Sequence, residues 1–420
     1  VSTHGTIANT PRYAFITSRF PQLTETFILR ELRGLEERGL DFELYAITHQ
    51  GDEHMQPDAV ELDRRANYFN WRSGEAVAAQ WHWFRRSPMR WARALWHAVR
   101  ASAGTKDALV RVPVVWMIAG AMARRMQQQG VQRVHAHWIT YPTLAAMVIN
   151  ELTGIPYSIT AHAGDIYGGT GMEPRIAAAD LVLTCTADGR RELLARAGDG
   201  YADKIRILYH GSDLTRFDFE PLPTRGAALR ILCVASLLDY KGQRYLIDAC
   251  RILRDRGVGF ELVLIGEGTL RDELEAQSAR LGLGDVVHFM GRQPHQVVRA
   301  QLDACDVFVA PSIEGAKGQM DGIPNVLVEA MAVGRPVVAT GRPGIRELVI
   351  DGTTGLLTGE RDPVSIADAL ERVASDPALC ERLVAAGRKK VEEEHDSAQN
   401  LDLVFQALVR LGAADGAATG

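Results

Sequence analysis

The stretch Asp321–Thr340, DGIPNVLVEAMAVGRPVVAT, decides how the rest of the chain is read. Asn325–Val333 has helical composition, and Pro324 suits a first helical turn, where its missing N–H costs nothing. Gly334, Arg335 and Pro336 stop the helix, and Val337–Thr340 then reads as a short buried strand. Such a helix start exposes unpaired N–H groups and the positive end of the helix dipole, a setting suited to phosphate. Asp321 stands in the loop before it, and Glu329 lies about 1.5 turns inside it. The unit offers an anion cradle flanked by two carboxylates, phosphate fitting the cradle and sugar hydroxyls the acids. The bland alternative is a buried crossover helix with two solvated acids.

A length of 420 residues argues for two domains or more. With 46% hydrophobic and 24% charged residues the composition is that of a globular enzyme, and a net charge of −5 gives no electrostatic case for nucleic acid. Cys185, Cys233, Cys250, Cys305 and Cys380 are scattered without a C-x-x-C pair and read as reduced thiols of a cytosolic protein. The opening VSTHGTIANTPR has no apolar core, so no signal peptide is expected. The longest apolar run, Val112–Ala123, is too short to span a bilayer. Both ends, residues 1–10 and 412–420, read as disordered.

Outward from the central stretch, short apolar runs alternate with helical segments, the rhythm of doubly wound sheets whose ligand sites lie at the carboxyl ends of strands. Tyr13–Thr17 is such a strand and runs into SRFPQLTETF, residues 18–27, with a helix from about Glu25 to Arg38. Glu25 either faces a ligand or, with Thr24, merely caps that helix. Residues 71–100 break the rhythm: five of the seven tryptophans fall there, with Arg72, Arg85, Arg86, Arg90, Arg93 and Arg100. This suits either a helical insertion that buries Trp and solvates Arg, the favoured reading, or a membrane interface. His135 and His137 share a strand face, but no nearby acid or cysteine completes a metal site, so a cleft-lining role is expected. His162, followed by Gly164 and Asp165, ends the strand Tyr157–Thr160; a lone histidine there is otherwise a structural residue.

In the second half, Leu229–Ala235 leads to Ser236 and to Lys241 before Gly242. Gly266 and Gly268 follow the strand Phe260–Ile265; without the third glycine, where Arg271 stands, they are a weak dinucleotide signal. The loop Met290–Pro294 follows the next strand, and Ser312–Met320, with Lys317, reads as a mobile lid.

Asp321 and Glu329, with seven residues between them, resemble the acid-x7-acid signature of retaining family-4 glycosyltransferases, with Asp321 where the family usually has Glu. SRFPQLTETF, TAHAGDIY (160–167) and HGSDLTRF (210–217) resemble a subgroup typical of bacterial surface-polysaccharide and exopolysaccharide assembly. The resemblance implies an α/β fold of GT-B type, two Rossmann-like domains facing across a cleft, with a C-terminal helix returning to the N-terminal domain. It implies an acceptor-binding domain at 1–218 with a helical insertion at about 60–125, a linker at 219–228, a nucleotide-sugar domain at 229–395, a crossover helix at 396–411 and a tail at 412–420. Asp321 would hold the sugar hydroxyls, Glu329 the ribose, and the amides near Asn325, Val326 and Leu327 the diphosphate, with Gly322, Ile323 and Pro324 also in the nucleotide-sugar site. Lys241 would neutralise the leaving group; Ser236 stands where a second cation is usual. Gly266, Gly268, Gly291, Arg292 and Gln293 would line the nucleotide. His162 would lie beside the reacting sugar, and Arg19, Glu25, Thr26, His137 and Asp165 would face the acceptor.

The implied reaction is metal-independent transfer from a nucleoside-diphosphate sugar, UDP- or GDP-linked first, to a hydroxyl on a carbohydrate, a lipid-linked oligosaccharide or a small molecule. No cofactor and no metal site are expected, and peripheral contact with the inner face of the cytoplasmic membrane is a candidate role for the Trp/Arg stretch. The alternatives are a nucleotide-sugar epimerase of the same fold and a non-catalytic carbohydrate-binding protein; an NAD-dependent oxidoreductase is disfavoured by the missing glycine.

Overall fold

Strands buried on both faces must be apolar throughout, and such runs build a parallel sheet in each half of the chain. The computed structural model describes residues 10–21, 26–50, 57–103, 106–168, 171–224, 226–316 and 318–418. The chain divides into a first unit, Val1–Cys185 with Gly189–Leu208 and Leu401–Gly420, and a second, Thr186–Asp188 with Tyr209–Asn400.

The first unit carries β1 (Tyr13–Phe20), β2 (Phe42–His49), β3 (Asn67–Tyr68), β4 (Arg133–His137), β5 (Tyr157–Ala161), β6 (Leu181–Thr184) and β7 (Ile205–Ile207). They pair in parallel in the order β3-β2-β1-β4-β5-β6-β7, so the winding direction reverses between β1 and β4. β3 is a two-residue edge strand, too short for any periodicity to reveal.

Helices Gly74–Arg86, Pro88–Ser102 and Lys106–Gln128 fill the interval between β3 and β4. The tryptophans there divide: Trp83 is buried and donates its Nε1–H to Gly120 O at 2.8 Å, while Trp81 and Trp96 are 59% and 65% exposed. The terminal helix runs Ser397–Ala418, past the end expected near Leu411 and through most of the stretch read as a disordered tail. Val404, Ala407 and Leu408 enter the first unit's core with Phe15, Leu32 and Leu35, and Tyr13 Oη donates to Leu408 O at 2.8 Å.

The second unit carries β8 (Leu229–Val234), β9 (Phe260–Ile265), β10 (Val287–Phe289), β11 (Val307–Ala310), β12 (Val337–Thr340) and β13 (Leu356–Thr358). Their parallel order is β10-β9-β8-β11-β12-β13, with the reversal between β8 and β11. The segment read as a free linker is packed onto this unit. Glu220 N donates to Val333 O at 3.0 Å, and buried Arg335 reaches Pro221 O at 3.1 Å and Leu302 O at 2.9 Å. The long segment of the second unit begins at Tyr209, against the expected boundary at 218. Gly211, at φ +66°, touches the His395 backbone, and Ser212 N donates to His395 O at 2.9 Å, so the HGSD turn anchors the end of this unit.

Candidate functional site

Ligands of doubly wound sheets bind outside the carboxyl ends of strands, where the winding reverses. In the second unit that point lies between β8 and β11. Lys241 comes from the turn after β8; Ser312 and Asp321 come from the chain after β11. Lys241 Nζ lies 2.6 Å from Asp321 Oδ1, and Ser312 Oγ donates to Asp321 Oδ2 at 2.6 Å. Burial works against the Lys241 ammonium, but the Asp321 charge, with Tyr240 and the hydrogen bond to Asp321, outweighs it and leaves the pKa raised. The cation is therefore fixed and charged at neutral pH.

The backbone comes close here because three glycines leave room. Gly242, at φ +68°, would drive a Cβ to 1.9 Å from Pro311 O; Gly266, at φ +144°, to 1.9 Å from Ala235 O. Gly268 approaches Leu237 O as closely as 2.3 Å from an added Cβ, and Gly266 N donates to Gly291 O at 2.9 Å, which ties the turns after β9 and β10 together. Gln293 is turned back on Met290 O at 2.6 Å, Arg292 is exposed, and the Ser236 carbonyl accepts from Gln243 at 3.0 Å.

The central helix spans Asn325–Val333 as expected, with Pro324 as its N-cap, one position outside the first turn. Leu327 N already donates to Pro324 O at 3.0 Å, so this amide is not offered to an anion; first-turn geometry leaves Asn325 and Val326 N–H without intrahelical acceptors. Gly322 and Ile323 are half-buried beside it, and the Gly322 backbone packs against Gly344. Glu329 is buried at 5% exposure, so it is not the solvated acid of the bland alternative. The supposed lid is pinned at its start: Ile313 N donates to Tyr240 O at 2.8 Å, Glu314 N to Glu360 at 2.9 Å, and Arg361 to Glu314 O at 2.6 Å. Lys317 lies outside the described residues.

In the first unit a cavity of about 610 Å³ opens at the corresponding reversal between β1 and β4. Its lining includes Arg19, His49, Arg111, Trp138, Gly164 and Asp165. Trp138 holds φ +80°, a costly conformation for a bulky residue, fixed by its N–H to Thr160 O at 2.9 Å and by Thr143 Oγ1 on its carbonyl at 2.8 Å. Asp165 lines the cavity, but its carboxylate accepts the His162 amide at 2.8 Å and the Ile139 amide. Burial pushes this carboxyl up to about 7 against those bonds.

His162 is 4% exposed and packs on Trp138 at 4.4 Å and Phe27 at 4.9 Å between ring centroids. His137 is fully buried and does not line the cavity, contrary to the cleft-lining expectation. An acid does lie beside it: Glu31 Oε1 is 3.5 Å from His137 Nε2, and Glu31, His135 and His137 could in principle share an ion. Both ring nitrogens of His135 already meet hydroxyls, Ser158 at 2.8 Å and Thr160 at 2.9 Å, which disfavours ligation. Glu31, Ser312, His49 and Arg111 were missed in the sequence. Only Glu31, at a helical spacing from the SRFPQLTETF loop, carried even a faint signal. Glu25 and the Thr26 side chain lie outside what the structure describes.

Two Rossmann-like parallel-sheet units, each with polar groups gathered at its winding reversal, define an α/β enzyme of GT-B architecture. Residues 215–390 match the family model described as glycosyl transferases group 1. The chain is similar to the putative colanic acid biosynthesis glycosyltransferase WcaL of Salmonella typhimurium, at 28% identity over 405 residues, covering 91% of this chain and 96% of that one. It is 39% identical over 193 residues to the amylovoran biosynthesis glycosyltransferase AmsK of Erwinia amylovora, covering 46% of this chain and 47% of that protein, about half its length. Among solved structures, Alr3699/HepE of Anabaena in complex with UDP superposes with a TM-score of 0.70 at 15% identity, covering 95% of this chain and 99% of that one. At that identity the likeness speaks for the fold. Residues 215–390 thus match the group 1 glycosyl transferases, the relatives are named glycosyltransferases, and the chain is a transferase enzyme.

Proposed function

We propose that the enzyme transfers a sugar, with retention of configuration and without a metal, from a nucleoside-diphosphate sugar to a hydroxyl of a saccharide destined for a surface polysaccharide. The observation that carries this reading is the half-buried Lys241–Asp321 pair at 2.6 Å, at the winding reversal of the second sheet and in the same unit as the Asn325 helix start. The HepE structure holds UDP on a like fold, and the WcaL and AmsK relatives are named for exopolysaccharide assembly, which supports the donor class and the product class.

In the reaction, the acceptor oxygen attacks C1 on the face that the diphosphate leaves. The C1–O bond to phosphate breaks, its electron pair stays on the diphosphate, and the acceptor proton passes to a leaving phosphate oxygen. Lys241 and the Asn325 and Val326 amides stabilise the charge that grows there. Asp321, held by Ser312, orients Lys241 and meets the sugar hydroxyls; buried Glu329 meets the ribose. A double displacement would need a nucleophilic carboxylate, and Asp165, with its oxygens on backbone amides, is poorly disposed for that role. Asp303 and Asp306, the nearest approach to a metal-binding acid pair in sequence, are paired with Arg299 and Arg230.

The exposed Trp81, Trp96, Met89, Phe84 and Val77, among arginines of the insertion, support peripheral contact with an anionic lipid surface. No helix of the described residues is long and apolar enough to cross a membrane. The function is tested by incubating the enzyme with UDP-glucose and GDP-mannose, with and without a saccharide acceptor. Release of nucleoside diphosphate that depends on acceptor is expected; epimerisation of the donor alone would favour the epimerase alternative and overturn the transfer reading.

A further inference from the structure

We infer that the first-unit cavity binds a phosphate or diphosphate group carried by the acceptor. This rests on the transfer reading, which assigns the donor's diphosphate to the second unit. The cavity is far larger than a sugar hydroxyl needs and its chemistry is cationic. Arg19 enters from β1, His49 from the end of β2, and Arg111 from the helix Lys106–Gln128. Among the described residues neither Arg19 nor Arg111 has a carboxylate partner, although Arg12, Arg33, Arg38, Arg93, Arg125 and Arg133 of the same unit each hold one. Arg111 instead lies over the Tyr141 ring at 5.4 Å, which orients its guanidinium without neutralising it.

Among the described lining residues the one carboxyl, Asp165, is committed to the His162 and Ile139 amides, and Asp63 sits 3.4 Å from His49. Ser18, Thr140 and Gln50 add neutral donors for the remaining phosphate oxygens. The strained Trp138 backbone is held rigidly by Thr160 and Thr143, so the indole offers a fixed wall to whatever the anion carries. Two guanidiniums and a set of hydroxyls, with no free acid among the described lining residues, match the planar bidentate recognition of phosphate rather than that of a neutral sugar.

The test uses the full chain carrying Lys241→Ala, so that the proposed donor site contributes little anion binding. Calorimetric titration with inorganic pyrophosphate is expected to show one remaining site. Arg19→Gln and Arg111→Gln should each weaken it about ten-fold or more, the loss expected of a charged hydrogen-bond partner. Arg19→Lys/Arg111→Lys, which keeps the charge but loses the planar fork, should bind more weakly than the unsubstituted pair and more tightly than Arg19→Gln/Arg111→Gln, and Arg93→Gln, on a paired surface arginine, should change nothing. Glucose 1-phosphate and farnesyl diphosphate, titrated in parallel, separate a soluble from a lipid-borne source by which binds more tightly. Absence of any site, or undiminished binding by the Arg19→Gln/Arg111→Gln double variant with an unchanged melting temperature, overturns the inference. Loss of UDP binding on Lys241→Ala is read separately in the otherwise unsubstituted chain, so failure of the donor site is not confused with failure of this one.

Discussion

Lys241 is held between two opposed effects, burial that disfavours its charge and Asp321 that restores it. Lys241 is the side-chain cation proposed to face the leaving group, and Lys241→Ala is expected to cut turnover by at least ~10²-fold, as loss of one charge-stabilising donor does. Steady-state kinetics with a nucleotide-sugar donor measure it, with the melting curve as a control for folding. Glu31 is the opposite case, a carboxyl with burial and no compensating cation, pushed up to about 8. An acid whose folded pKa lies above its unfolded value holds its proton more tightly when folded. Its stabilisation is complete below about 4.5 and is lost as the pH rises through about 8. The wild-type melting temperature should therefore fall across that window, whereas Glu31→Gln, which cannot ionise, should flatten the fall. Parallel curves for the two proteins would show that Glu31 does not titrate in the folded state. None of these pairings could be read in advance: Lys241 and Asp321 meet across 80 residues of sequence, and nothing local to either records the meeting.

Among the elements, those with strong local signals were legible. Asn325–Val333 and Val337–Thr340 lie where their composition and their stop signals put them. The two-residue β3 and the full length of the terminal helix were not, because an edge strand and a helix carried on past its apolar stripe are set by tertiary contact rather than by periodicity. The Trp-rich insertion was half legible: the composition foretold helices, but which tryptophans turn inward depends on the Gly120 carbonyl that Trp83 finds. The exposed remainder gives a test. Trp81→Ser/Trp96→Ser should lose co-sedimentation with anionic vesicles while keeping the melting temperature, and neutral vesicles should bind neither protein. At the turn after β8, Gly242→Ala sets a Cβ 1.9 Å from Pro311 O at φ +68°, and unfolding in urea should show a loss of at least ~1–3 kcal/mol.

For the whole molecule, length argued for two domains or more, the βα rhythm for doubly wound sheets and the family resemblance for two Rossmann-like units, and the structure has them. The boundary was less legible because residues 219–228, proline-bearing and polar, look like a tether yet are fastened to Val333 and Arg335. The last helix belongs to the first unit from Leu401 onward. A chain ended at residue 400 would lose Val404, Ala407 and Leu408 from the core around Tyr13 and Phe15. Loss of several buried apolar side chains should destabilise the first unit by at least ~3 kcal/mol, seen as an earlier urea transition. The most direct measurement is a crystal soaked with UDP and with GDP. Phosphate density within hydrogen-bond reach of Lys241 Nζ and of the Asn325 and Val326 amides is the expected result. Phosphates bound elsewhere, with the Lys241–Asp321 pair untouched, would contradict the donor site and the reaction built on it.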